Sequence, residues 1–189
     1  MSLAPDVRTG SIVEPVVLRS VLGRFCSGVV VVTAMTPEGP AGFTCQSFAS
    51  LSLDPPLVAF FASHGSTTWP RIRSAGKFCI NILALGHEEL STWFALSGTK
   101  KFAGVPWRPA PSGAPVLPNV CAWVDCRLEA EYPGGDHHIV VGRVQALESA
   151  DESLPLVYYR GGYRALTPHA GSTGPNSDAD APAAPAADH

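Results

Sequence analysis

Residues 42–58, GFTCQSFASLSLDPPLV, concentrate polar side chains in a stretch that otherwise has the composition of a buried strand. Four hydroxyls, one thiol and one amide occur here, contributed by Thr44, Cys45, Gln46, Ser47, Ser50 and Ser52. Polar groups that enter a protein interior must find hydrogen-bond partners, because leaving them unpaired costs free energy. These side chains therefore either pair with one another across strands or bind a ligand.

Several common catalytic devices are absent from the sequence. It contains no Gly-x-Gly-x-x-Gly turn, no P-loop, no Gly-x-Ser-x-Gly nucleophile motif and no His-Glu-x-x-His zinc motif. A nucleotide that binds this chain would therefore use neither a Rossmann crevice nor a P-loop.

Metal and covalent chemistry are also poorly supported by the sequence. His137 and His138 are neighbours on a predicted strand, where successive side chains point to opposite faces, and no third ligand clusters with them. Cys45 is the best candidate for a nucleophile, but a single buried cysteine usually behaves as a small hydrophobic residue. We therefore predict no metal site and no nucleophile.

The composition narrows the class of protein. The 189 residues suit one domain, and 46% hydrophobic residues with a formal net charge of -3 predict neither nucleic acid nor an anionic membrane as partner. Five cysteines without a Cys-x-x-Cys pair favour a reducing compartment. The sequence shows no apolar signal core at its start and no run long enough to cross a bilayer, so a cytoplasmic location is predicted.

The first half of the chain alternates short helices and strands. A helix is predicted from Pro15 to just before Gly28, and one apolar face recurs at helical spacing: Leu18, Val21, Leu22 and Phe25. The next strand, 29–33, is β-branched throughout, which indicates burial on both faces, and a hairpin leads from it into residues 42–48. Further strands are predicted at 57–61 and 78–83, and short helices at 69–74 and 87–96, the last with Leu90, Trp93 and Phe94 on one face.

The second half is predicted to be mostly strand. Residues 98–118 are rich in Gly and Pro and should be irregular. Residues 121–132 alternate apolar and charged side chains, which predicts a half-buried antiparallel strand with Asp125 on its polar face. A turn at 133–136 leads into a strand at 137–144, and a last strand covers 156–159.

These elements predict a mainly β fold. About six or seven strands are joined by hairpins rather than helical crossovers, which favours an antiparallel barrel with a few short helices. We expect a flexible amino terminus at 1–13 and one domain at 14–167. An Ala-, Pro- and Asp-rich tail at 168–189 should be disordered.

The order of motifs resembles the flavin reductase family. The similarity covers about residues 18–163 and includes Gly-Phe-Thr-x-x-Ser-Phe with Ser-Leu-Asp-Pro-Pro-Leu-Val, the strand Phe-Cys-Ile-Asn-Ile-Leu, and Gly-Asp-His-x-Ile-Val-Val-Gly-Arg-Val. This resemblance implies an FMN-binding split β-barrel and the small reductase component of a two-component flavin-dependent monooxygenase. It implies a homodimer that uses FMN or FAD with NADH or NADPH and passes reduced flavin to an oxygenase.

The resemblance also implies roles for individual residues. Thr44, Cys45, Gln46 and Ser47 would lie along the flavin ring and ribityl chain, although many relatives have asparagine where this chain has Gln46. The turn with Ser63, Ser66 and Thr67 would hold the flavin phosphate through hydroxyls and backbone N–H groups. His137 would lie on the nicotinamide side, with Tyr163 bordering the same pocket. Hydride transfer requires ring positioning and no nucleophile.

Simpler explanations for the same residues stay open at the sequence level. Thr44 and Ser47 can bond across strands, and Ser63, Ser66 and Thr67 can form a helix cap. His137 can be a partly exposed residue at a strand end. Two other functions are compatible with a split barrel: an oxidase with tightly bound flavin, and a flavin- or haem-binding carrier or sensor without turnover.

Overall fold

The computed structural model describes residues 13–98, 100–150 and 153–167. In chain order, the helices of this part are α1 (Pro15–Leu22), α2 (Trp69–Ala75) and α3 (Glu88–Ala95). The strands are β1 (Ser27–Gly28), β2 (Val30–Thr36), β3 (Gly39–Cys45), β4 (Ala49–Ser52), β5 (Leu57–Ser63), β6 (Lys77–Ile82), β7 (Arg108–Pro109), β8 (Pro115–Val116), β9 (Ala122–Gly134), β10 (His137–Ser149), β11 (Val157–Tyr159) and β12 (Gly162–Arg164).

Seven strands form one antiparallel sheet in the order β3-β2-β6-β9-β10-β5-β4. The two edge strands, β3 and β4, are consecutive in the chain and are linked by only residues 46–48. Three residues cannot span the width of an open seven-stranded sheet, because strands lie about 4.8 Å apart. The sheet therefore curls until its edges meet, which makes it the predicted split barrel.

Hydrophobic clusters cover both faces of the central strands. One cluster fills the barrel and contains Val30, Val32, Phe60, Trp69, Phe78 and Ile80. The other lies outside the barrel beneath α3 and the 100–120 segment and contains Val29, Val31, Cys79, Phe94, Leu117 and Trp123. Alternate residues of β2 and β6 thus enter different clusters, which confirms the predicted two-sided burial of residues 29–33.

The outer segment 105–120 is held by buried polar groups. The Asn81 side-chain amide donates to Pro115 O at 3.3 Å, and its carbonyl oxygen accepts the Leu117 N–H at 2.8 Å. The Asp125 carboxylate is fully buried and accepts the N–H of Ser112 at 2.8 Å and its hydroxyl at 2.5 Å. Asp125 was predicted on a solvent-facing strand surface, and that prediction is wrong because this segment covers the first half of β9.

Other sequence expectations need correction. The first helix ends at Leu22 with Gly23 as its C-cap, well before Gly28, and no residue of it is buried in the single chain. In α3, Phe94 is fully buried as expected, but Trp93 is 44% exposed and does not share its burial. The 98–118 segment contains the two-residue strands β7 and β8, and the last predicted strand is followed by β12 in a hairpin.

The ends of the chain limit what the structure describes. The expected tail at 168–189 and residues 1–12 of the expected flexible terminus lie outside the described residues. None of the helices within the described ranges is long and apolar enough to cross a membrane.

Candidate functional site

A cavity of about 240 Å³ opens where β5 and the β9–β10 turn meet the link between β3 and β4. It is lined by Ser47, Phe61, Gly134, His137 and Ile139. Phe61 is 46% exposed although β5 is paired on both sides, so an aromatic ring faces the opening. The structure therefore brings together two residues that are 90 positions apart in the sequence, Ser47 and His137.

Ser47 connects the link to β5. Its hydroxyl oxygen accepts the Phe61 N–H at 2.8 Å and lies 3.3 Å from Phe61 O. Cys45 points into the barrel core, with Sγ 3.1 Å from Ser47 Oγ, and burial raises the pKa of its thiol. A thiol with a raised pKa is a poor nucleophile, which agrees with the absence of a predicted covalent step. Gln46 is exposed.

Thr44 and Tyr163 lie on the α3 side of the same segment. The Thr44 hydroxyl donates to Ser91 O at 2.6 Å, and the Tyr163 hydroxyl donates to Ser91 Oγ at 2.9 Å. Ser91 is fully buried, so this junction fixes α3 against β3 and the β11–β12 hairpin. Neither Thr44 nor Tyr163 lines the cavity of Ser47 and His137.

The turn between β5 and α2 carries the other predicted hydroxyls. Ser63 Oγ accepts the Gly65 N–H at 3.2 Å, and Ser66 Oγ accepts the Trp69 N–H at 3.1 Å, so both side chains support the turn. Thr67 is exposed. Within the part of the chain that the structure describes, the backbone N–H groups of residues 67 and 68 have no hydrogen-bond partner. Such N–H groups in a tight turn are suited to an anion.

His137 lies beside this turn because β10 pairs with β5, with His137 opposite Ser63. Its Nδ1 is 2.7 Å from Asp136 Oδ1, and this hydrogen bond lowers the pKa of the Asp136 carboxyl. A carboxylate at Nδ1 favours the proton on that nitrogen and leaves Nε2 as the acceptor of the neutral ring.

A second group of polar side chains, which includes two histidines, connects this turn to neighbouring elements. The His64 ring packs against the His138 ring with centroids 4.3 Å apart. His138 Nδ1 lies 2.7 Å from Glu131 Oε1, and Arg73 Nε lies 3.0 Å from Glu131 Oε2 without hydrogen-bond alignment. The chain of contacts joins the turn to α2 and β9. His64 and Phe61 were not predicted as site residues.

The arrangement suits positioning of a flat polar ligand better than covalent or metal chemistry. Phe61 and Ile139 provide apolar surface, and Ser47 and His137 provide polar groups, within one cavity. The turn between β5 and α2 adjoins this cavity, because Ser63 at its start pairs with His137. Within the described residues, no cluster of three or more His, Cys, Asp or Glu side chains can hold a metal ion.

Comparison with known proteins identifies the family of this chain. The sequence profile of the flavin reductase like domain matches residues 22–167. The chain is 41% identical over 158 residues to the flavin-dependent monooxygenase reductase subunit HsaB of Mycobacterium tuberculosis, covering 82% of this chain and 84% of that protein. It is 44% identical over 154 residues to a flavin reductase of Pseudomonas putida, covering 81% of this chain and 91% of that protein.

A solved structure extends the comparison to the fold. The NADH:FAD oxidoreductase SgcE6 of Streptomyces globisporus, in complex with NAD and FAD fragments, superposes with a TM-score of 0.79 at 32% identity. The match covers 85% of this chain and 99% of that chain. The matched profile spans most of the chain and the relatives match over most of their own length. The chain therefore belongs to the flavin reductase-like domain family.

Proposed function

We propose that this protein is an NAD(P)H:flavin oxidoreductase that reduces FMN or FAD and releases the reduced flavin to a separate monooxygenase. The observation that carries this proposal is the cavity at the barrel closure, where Ser47, Phe61 and His137 meet beside a turn with free N–H groups. The similar protein HsaB is named as the reductase subunit of a monooxygenase, which supports an oxygenase partner. The similar protein SgcE6 is named as an NADH:FAD oxidoreductase, which supports a nicotinamide donor.

The flavin ring is assigned to the cavity lined by Ser47, Phe61 and Ile139. Residues 46–48 present backbone N–H groups that have no partner within the described ranges. Flavin and nicotinamide supply the redox chemistry, a hydride passed from one ring to the other. The N–H groups of this link are suited to stabilising negative charge on the ring edge, and the apolar walls exclude water from the reacting faces.

The turn between β5 and α2 is assigned to the flavin phosphate. Ser63, Ser66 and Thr67 surround its N–H groups, and the side chains of Ser63 and Ser66 already support the turn through hydrogen bonds from the Gly65 and Trp69 N–H groups. His137 is placed on the nicotinamide side of the cavity. Thr44 and Tyr163 do not line the cavity, and we propose that they support the site indirectly by holding α3 in place through Ser91.

A homodimer is part of the proposal and rests on α1. Its apolar residues are exposed in the single chain: Val16, Val17, Leu18, Val21 and Leu22, followed by Phe25 at 82% exposure. A helix with no buried residue gains little from its own chain, whereas burying each such side chain against another subunit would contribute roughly 1–2 kcal/mol, since 46–82% of each is exposed in the single chain. We also place the protein in the cytoplasm, which agrees with its five free cysteines.

The first experiment follows NADH and NADPH oxidation with catalytic protein and added FMN, FAD or riboflavin. Oxidation that rises and saturates with free flavin is expected, since the open cavity lets flavin exchange as a substrate. Flavin binding without consumption of either nicotinamide would replace the proposal with a carrier. Flavin that copurifies and does not exchange would favour the oxidase alternative.

The phosphate assignment predicts a charge effect that depends on the ligand. Thr67→Glu should weaken FMN binding on the order of tenfold, because like charges repel at short range, and should leave riboflavin binding unchanged. Ser74→Glu is the matched control, with the same charge on exposed α2 surface further along the chain. Equal weakening of FMN and riboflavin by Thr67→Glu would place the phosphate elsewhere.

The His137 assignment predicts a split between the two substrates. His137→Ala should raise the KM for the nicotinamide several-fold more than the KM for flavin, because on this assignment the imidazole would contact the nicotinamide rather than the flavin. His87→Ala, at the start of α3 and outside the cavity, is the control. Steady-state kinetics with the opposite order of KM changes would reverse the assignment.

The dimer proposal predicts a change in mass. Leu18→Asp with Leu22→Asp should convert a dimer into a monomer in size-exclusion chromatography with light scattering, because it places charges on the exposed apolar face of α1. Leu147→Asp replaces a 66% exposed leucine on β10 and should leave the dimer intact. A monomeric wild-type protein would contradict the proposal.

A further inference from the structure

A second cavity, of about 360 Å³, lies at the opposite end of the β9–β10 ribbon. Trp123 pairs with Glu148 at this end, whereas Gly134 pairs with His137 at the other. Eleven residue steps separate the two ends on each strand, which corresponds to roughly 35 Å along the ribbon. This cavity is therefore separate from the proposed flavin site within one chain.

The walls of this cavity are aromatic and apolar. They include Trp107, Trp123, Val116 and Leu117, with Arg108 and Glu148 as the charged lining residues. Trp107 is 38% exposed and offers indole surface to a ligand, whereas Val116 and Leu117 are 2% exposed and form a dry floor. The volume lies within the range of small-molecule sites, about 300–1,000 Å³.

The cavity is preformed because its covering segment is pinned. Leu117 N–H bonds Asn81, and Ser112 bonds the buried Asp125, so residues 112–117 cannot collapse into the space without breaking buried hydrogen bonds. Arg108 and Glu148 close one side with an ion pair of 3.0 Å. A ligand that binds to a rigid cavity does not have to order the protein, so the entropic cost of binding is small.

Arg108 and Glu148 differ in the hydrogen-bonding capacity that each has left after they pair with each other. One oxygen of Glu148 accepts both Arg108 Nη2 and Trp123 Nε1, each at 3.0 Å. Arg108 has five N–H donors, of which one makes this bond, and its guanidinium lies 5.3 Å from the centre of the Trp123 ring. The unused donors form a planar fork that matches a carboxylate.

The geometry points to a binding site for a small aromatic carboxylate, with the ring against Trp107 and the floor of the cavity and the carboxylate on Arg108. No step of the proposed flavin reduction uses this site. Its existence therefore does not depend on the proposed function.

Calorimetric titration with three probes tests the site: indole-3-acetate, tryptamine and acetate. Indole-3-acetate should bind one site per chain at least about tenfold more tightly than either other probe, because ring burial and charge pairing act together. Saturating FMN should leave this binding unchanged. Tryptamine binding as tightly as indole-3-acetate, or displacement of the acid by FMN, would overturn the inference.

Two variants locate the contacts. Arg108→Gln should weaken indole-3-acetate binding about fivefold, as expected for an exposed charge pair, without changing flavin-dependent NADH oxidation. Arg127→Gln is the matched control, because both arginine side chains are 57% exposed and ion-paired with a glutamate. Trp107→Ala should also weaken the binding of indole-3-acetate. Equal effects of the Arg108 and Arg127 substitutions would show that binding is not at this cavity.

Discussion

Closure of the curled sheet depends on the three-residue link between β3 and β4. The link must bring the two sheet edges together, and the hydrogen bond from Phe61 N–H to Ser47 Oγ ties it to β5. The side chain of Cys45, the residue just before the link, packs in the barrel core. Because a short link at a barrel edge cannot satisfy all its backbone groups through ladder bonds, it leaves N–H groups available. The candidate flavin site lies where barrel closure leaves these groups without a hydrogen-bond partner among the described residues.

The two-sided burial of the central strands explains why the outer segments are needed. A sheet with one face in the barrel and the other in water would alternate buried and exposed residues, whereas six of the seven residues of β2 are buried. Its outer side chains must be covered, and α3 with residues 105–120 covers them. Such a cover carries backbone polar groups into the interior, so buried Asn81 and Asp125 are required as partners. The hydrogen bonds that anchor this cover through Asn81 and Asp125 also keep open the cavity lined by Trp107 and Trp123.

Local sequence patterns were sufficient for most of the elements and for the barrel class. The β-branched run at 29–33 and the helix from Pro15 were predictable because periodicity reports local burial. The burial of Asp125 was not, since a charged residue in an alternating strand looks solvated unless the covering segment is known. The pairing of Ser47 with Phe61 and the position of His137 opposite Ser63 depend on strand register, which one sequence does not specify. The polar composition of residues 42–58 indicated either cross-strand pairing or a ligand, but the roles of individual site residues followed only from the resemblance to a family.

The two hydroxyls of the Thr-x-x-Ser segment have different capacities for a ligand. Thr44 donates its proton to Ser91 O at 2.6 Å, so this hydroxyl can offer a ligand only lone pairs unless α3 moves. The Ser47 oxygen accepts a hydrogen bond from Phe61 N–H, and within the described residues the acceptors near its own hydroxyl proton are Cys45 Sγ at 3.1 Å and Phe61 O at 3.3 Å. A ligand atom can accept a hydrogen bond from the Ser47 hydroxyl while the hydrogen bond from Phe61 N–H to Ser47 Oγ persists. Ser47 can therefore serve the fold as an acceptor and the flavin as a donor at the same time.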